Sequence, residues 1–230
     1  MLPFMKFLLP LFTVVLIVPG AIFAQAPAAP APAPTVAPTS GKAEPELNAT
    51  FPAEIDPTVI ETLRKSFAAQ RAKGSFRATM ETAGLGDGTV PPMQMEFVFP
   101  DRMRMKMSGM EIIAVGGKSM MRMGEAWLPA PAEVSKASGS FGDPKKVEEM
   151  LGNTTYAKSL GQTKVDGKMM DSYEVHIRTK GVDSKSKFHI SPDDNLIRRV
   201  ETQADVQGKP MTSTLTYSDY GVPIKIELPK

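Results

Sequence analysis

The 230-residue chain has no cysteine. That excludes disulfides, thiolate metal sites and thiol catalysis, and it excludes a lipid-modified cysteine behind an export signal. Histidine is nearly as scarce, with two residues, and tryptophan occurs once. Charge of one sign is missing too: 27 Lys and Arg stand against 25 Asp and Glu. The basic residues are interleaved rather than clustered, so a nucleic-acid surface has no footprint here. After Val18 no stretch is apolar enough to cross a membrane as a helix.

Catalytic signatures are missing as well. VGGKSM, Val115 to Met120, contains the Gly-Lys-Ser of a phosphate loop, but no glycine lies five residues before Gly117. The segment also sits between two strand patterns rather than before a helix. GLGDG, Gly84 to Gly88, has the wrong spacing for a dinucleotide loop and reads as a hairpin turn. No serine occupies a nucleophile elbow. The two histidines, His176 and His189, alternate with apolar neighbours and are placed on a wet strand face, so no metal site is expected of them.

The N-terminus is informative. Lys6 precedes an apolar run from Phe7 to Val18, Pro19-Gly20 breaks it, and Ala24-Gln25-Ala26 offers small residues to a signal peptidase. The run is shorter than the roughly 20 residues a spanning helix needs, so residues 1–26 read as a cleaved secretory signal. Residues 27–54 form a proline- and alanine-rich linker with too few large apolar side chains to order itself. Residues 55–230 suit one domain with a substantial core. The expected product is soluble, monomeric and periplasmic.

Within that domain Asp56-Pro57 and Asp143-Pro144 each open a helix, with aspartate as N-cap and proline at the first helical position. Ile60, Leu63 and Phe67 mark the inner face of the first helix, and Val147, Met150 and Leu151 that of the second. A short helical piece is expected at Ala132 to Lys136. Elsewhere the period is two: Phe76, Ala78, Met80; Met93, Met95, Phe97, Phe99; Met103, Met105, Met107; Tyr173, Val175, Ile177; Phe188, Ile190. MEIIAV and SMMRM flank a Gly116-Gly117 turn, Asp166-Gly167 and Gly208 mark others, and Leu196–Val206, Met211–Tyr217 and Pro223–Leu228 add three strands. The fold class is mainly β (α+β): a curved antiparallel, unclosed β-barrel of about ten to eleven strands with a helical lid.

Sixteen methionines remain to be explained, nine of them between Met93 and Met123. Alternate thioethers suit Cu(I), but no cysteine or nearby imidazole joins them, and Arg102, Arg104 and Lys106 are interleaved with them. Core filling is a second reading. A third needs the least: MRMKM, Met103 to Met107 with Arg104 and Lys106, turns three sulfurs inward and its charges to water, giving an adaptable apolar wall.

MEIIAVGGKSMMRMGEAWLPAP, Met110 to Pro131, resembles the hairpin of LolA/LolB-like lipoprotein carriers, including its glycine-x-x-tryptophan at Gly124 to Trp127. YSDYGVPIKIELP, Tyr217 to Pro229, is similar to the terminal hairpin of LppX/LprG-type lipid-binding lipoproteins, and DNLIRRVET, Asp194 to Thr202, resembles the strand before it. The resemblance implies a half-barrel carrying a lipid or lipoprotein acyl chain without catalysis, cofactor or metal, in transient contact with a membrane. The cavity wall is then expected from Phe76, Met80, Met95, Phe97, Met103, Met105, Met107 and Trp127, and the lid from Val147, Met150 and Leu151. A sensor or interaction module recognising envelope proteins is the alternative.

Overall fold

A computed structural model describes residues 54–84, 90–131, 134, 143–179, 182–206 and 209–229. The expected export signal, nearly all of the expected linker, most of the expected Gly84–Gly88 turn, the expected Ala132–Lys136 helical piece apart from Val134, and the expected Gly208 turn lie outside the described residues.

Helix α1 spans Pro57–Ala72; the Asp56 carboxylate accepts from the Thr58 N–H at 2.8 Å, and Pro57 lacks the donor that position leaves unpaired. Gly74, at φ +79°, turns the chain into the sheet. Helix α2, Pro144–Gly152, starts the same way, with Asp143 accepting from the Lys145 N–H at 2.9 Å.

The strands are β1 (Ser75–Ala83), β2 (Met93–Val98), β3 (Arg102–Met107), β4 (Met110–Val115), β5 (Lys118–Met123), β6 (Ala126–Pro129), β7 (Thr154–Val165), β8 (Lys168–Thr179), β9 (Val182–Ile190), β10 (Ile197–Val206) and β11 (Lys209–Ser218). They form one 11-stranded antiparallel sheet in the order β6-β5-β4-β3-β2-β1-β11-β10-β9-β8-β7, which is not closed. The expected strand number and open barrel are met. Two-residue turns at Ser108-Gly109, Gly116-Gly117, Gly124-Glu125 and Asp166-Gly167 fix the hairpin registers. Ser108-Gly109 and Asp166-Gly167 have positive φ at both positions, the twist that suits such hairpins.

The chain enters the fold at the β7 edge, where the Ala157 N–H donates to the Glu54 carbonyl and the Asp56 N–H to the Ala157 carbonyl, both at 2.9 Å. From there α1 packs against β7, β10 and β1, burying Val59 and Leu63. Phe67 meets Phe188 edge-on, with centroids 6.3 Å apart.

Two expectations need correction. Pro223–Leu228 is not a strand. Both edges of β1 are already taken by β2 and β11, and proline offers no N–H to a ladder. The segment instead runs as a tail along the side of the sheet that carries the β3 arginines: Arg104 donates to the Lys225 carbonyl at 3.2 Å and Arg102 to that of Ile226 at 3.4 Å. Ile226 is wholly buried there. The second correction concerns His189. It stands opposite Ser172 on the face away from the apolar cluster, as alternation requires, yet it is 6 % exposed rather than wet.

Candidate functional site

Strand alternation and cross-strand register assemble the wall. Phe76 stands opposite Phe97, Ala78 opposite Met95 and Met80 opposite Met93. Across the next pair, Met95 opposes Met105 and Phe97 opposes Met103. Ile112 then faces Met105 on one side and Met121 on the other, and Met121 faces Leu128. Side chains directly opposite share a face, so these rows form one continuous apolar surface. Phe76, Met80, Met93, Met95, Phe97, Met103 and Met105 are buried in a single cluster, and half-buried Met107 packs against it.

Seven of the eight wall residues expected from sequence therefore lie together. Trp127 does not. The Gly124-Glu125 turn pairs Met123 with Ala126, which puts Ala126 on the methionine face and Trp127 on the other, opposite Arg122. The Arg122 guanidinium lies over its ring, 5.6 Å from the centroid. Met93, Ile112 and Met121 were not expected in the wall. Each follows from alternation once the neighbouring turns are counted as two-residue loops.

The outer face of the same strands is ionic. Glu96 accepts from Arg77 at 3.0 Å and from Arg104 at 2.8 Å. Burial pushes its carboxyl up, but those two donors outweigh it and hold the group below the usual carboxylate range. Glu111 is approached by Arg122 at 2.8 Å, Arg104 at 3.5 Å and Lys106 at 3.9 Å. Arg104 and Lys106 thus pair with carboxylates and Arg102 donates to the Ile226 carbonyl, leaving the sulfurs in an uncharged layer.

The three expected lid residues fall in or against the same cluster: Met150 and Leu151 are buried members, as is the isolated described residue Val134, and Val147 packs against it. Helix α2 has only nine residues. It is held to α1 by a two-pronged ion pair, Arg64 Nε to Glu148 Oε1 at 2.7 Å and Nη2 to Oε2 at 3.0 Å. The hydrogen bonds from Arg64 lower the Glu148 carboxyl, and those to Glu148 and Glu61 raise the guanidinium. Both partners are close to half exposed, so the pair guides more than it stabilises. At its C-terminal end the Arg178 N–H donates to the Asn153 carbonyl at 3.1 Å.

Among the described residues no group of three or more His, Cys, Asp or Glu is arranged to hold a metal ion. A different arrangement looks catalytic at first sight. Ser172 Oγ lies 2.8 Å from His189 Nδ1, and Glu201 is 3.9 Å from His189 Nε2. Ser172 is wholly buried, however, with the Thr163 hydroxyl against it, so no substrate reaches that oxygen. The group ties three strands together.

No helix among the described residues is long and apolar enough to cross a membrane. No family model matches the sequence, and no curated protein matches it. The fold does have solved counterparts. The Mycobacterium tuberculosis lipoprotein LppX superposes with a TM-score of 0.57 at 15% identity, covering 75% of this chain and 100% of its own. LprF from Mycobacterium bovis gives 0.54 at 15% identity, covering 76% and 98%. The unclosed, helix-covered half-barrel is the fold of those two proteins.

Proposed function

We propose that this protein is an exported, non-catalytic carrier or chaperone that holds an acyl chain, of a lipid or a lipoprotein, against the methionine wall in the periplasm. The observation that carries the reading is the uncharged surface running through Met80, Met93, Met95, Met103 and Met105, which falls in one buried cluster with Met150 and Leu151 of a nine-residue helix. Thioether side chains are unbranched and polarizable, so such a wall re-forms around chains of different shape. The bound form keeps the wall dry: Val147, Met150 and Leu151 give way and the acyl chain takes their place. Each acyl CH₂ removed from water contributes about 0.8 kcal/mol, so ten contribute roughly 8 kcal/mol before the cost of displacing the cover. That suffices for a carrier that must also release its load. The half-barrel shared with the lipoprotein LppX and with LprF supports the reading at the level of fold.

The test compares two triple variants at Met103, Met105 and Met107 by titration with a fluorescent fatty acid. Serine at all three positions weakens binding by more than about tenfold, because hydroxyls replace apolar wall. Leucine at all three keeps volume and apolarity and retains most of the affinity. Equal loss in both variants, together with Cu(I) affinity in the wild type, would overturn the acyl reading and assign the sulfurs to metal.

A further inference from the structure

The wall does not end where it is buried. Along the row Met105, Ile112, Met121, Leu128 the side chains pass from 7 % and 1 % exposure, through a half-buried methionine, to 51 % at Leu128. The next row runs Met107, Met110, Met123, and Met123 is 54 % exposed. Among the described residues Met123 and Leu128 are, with Met169, the most exposed large apolar side chains on the sheet, and both stand on the methionine face of the free edge formed by β5 and β6. A monomeric protein gains nothing in water from carrying them there.

The opposite face of this edge carries half-buried Trp127 under Arg122, with exposed Lys118 at the start of β5. Residues 93–129 hold five cations, Arg102, Arg104, Lys106, Lys118 and Arg122, against the four carboxylates Glu96, Asp101, Glu111 and Glu125, an excess of one. Apolar tips, an indole with a guanidinium, and local positive charge together match a bilayer surface bearing anionic headgroups: the tips enter the acyl region while the ring and cations stay among the headgroups.

We infer that the β5–β6 edge docks on an anionic lipid surface and is the port through which an acyl chain passes onto the methionine wall. The inference rests on the acyl-carrier reading above. A chain leaving the bilayer at Leu128 and Met123 reaches Met105 and Met107 along two cross-strand rows without crossing a charged layer, since the charges of β3–β5 lie on the other face.

The experiment uses the chain from Pro27 onward, which contains every described residue and omits the apolar run at Phe7 to Val18. Co-sedimentation is measured with phosphatidylcholine vesicles with and without phosphatidylglycerol. Wild type binds the anionic vesicles at least tenfold more strongly than the zwitterionic ones. Met123→Asp/Leu128→Asp, at two exposed positions, loses that binding by at least tenfold while keeping its circular dichroism. Its uptake of a fluorescent fatty acid from vesicles slows accordingly, and Met123→Leu restores normal behaviour at that site. Wild type that ignores anionic vesicles, or a double variant that binds them undiminished, overturns the port. A dimer in sedimentation velocity that the double variant abolishes also overturns it and gives the edge to a second copy. Vesicle binding without any fatty-acid affinity overturns the port but leaves the docking surface, and places the fault in the carrier reading.

Discussion

On one half of the sheet, β8, β9 and β10 contribute Val175, Ile177, Phe188, Ile190 and Val200 to the apolar cluster; on the other, β1, β2 and β3 contribute Met80, Met93, Met95, Met103 and Met105. The first set is branched or aromatic and stiff, and it sits under a 16-residue helix tied by backbone hydrogen bonds to β7. The second is mostly unbranched and adaptable, though Phe76 and Phe97 stand among it, and α2, whose Met150 and Leu151 fall in the same cluster as both sets, has only nine residues. Packing density alone does not separate them, since both are buried to similar degrees. Side-chain stiffness and the anchoring of the helices do. On the acyl-carrier reading, the β7–β11 half is permanent core and the β1–β5 half the surface on which cargo exchanges.

The sharpest way to break that contrast is a pair of core substitutions. Phe188→Ala, in the permanent half, should destabilise the protein by about 3–5 kcal/mol in denaturant unfolding while leaving fatty-acid affinity of the folded fraction unchanged. Met105→Leu, in the adaptable half, should cost less than about 1.5 kcal/mol and alter affinity by no more than about threefold. If the Leu substitution is as destabilising as the Phe truncation, the methionine half is a fixed core and the contrast fails.

A second measurement asks which helix moves. With saturating fatty acid, amide exchange in Pro144–Gly152 should change by about tenfold and exchange in Pro57–Ala72 should not. A change spread equally over both helices would mean that the whole helical layer opens, and α2 would lose its special role.

Arg64 links the two helices, and its removal gives a smaller effect. Arg64→Ala should speed exchange in α2 by about two- to fivefold, the size an exposed ion pair supports, with little change in α1. Because Glu148 titrates below the usual carboxylate range, the link holds at neutral pH and loosens only as pH falls through that lowered value. Exchange in α2 that is indifferent to Arg64 would show that Met150 and Leu151 alone hold the lid.

Much of this was legible in the sequence, and the failures have identifiable causes. Period-two methionine and phenylalanine patterns located β1 to β4, and Asp-Pro located both helices, because each signal is local. Trp127 was misplaced because one extra residue in a turn decides the face of everything after it, and Gly124-Glu125 left that choice open to the eye. β7 went unread: its residues from Lys158 to Gln162 are exposed, so no apolar alternation marks them. The Pro223–Leu228 tail alternates like a strand, but whether a partner edge is free is a property of the whole sheet. The burial of His189 depends on Thr163 and Ser172 meeting it across two strand pairs, which no local pattern reports.

That histidine yields the smallest predicted effect, and it belongs to the permanent half. Burial lowers its pKa below the ordinary value near 6.5; Glu201 and Asp166 oppose this, while Arg199 and Lys187 add to it. The folded state therefore prefers neutral imidazole, accepting or donating at Nδ1 to Ser172. The unfolded chain takes up a proton near pH 6.5 and the folded one only at lower pH. Stability from this site is complete above that value and is lost as pH falls through the interval down to the lowered pKa. The difference in unfolding free energy between wild type and His189→Asn should be flat above neutrality and decline gently below pH 6.5, a shallow slope on a large background. Fatty-acid affinity should not follow it, because His189 lies on the face away from the wall. A difference that instead grows as pH falls would mean that Glu201, 3.9 Å away, outweighs burial and draws a proton onto the ring. The permanent half would then hold an imidazolium where burial favours the neutral ring.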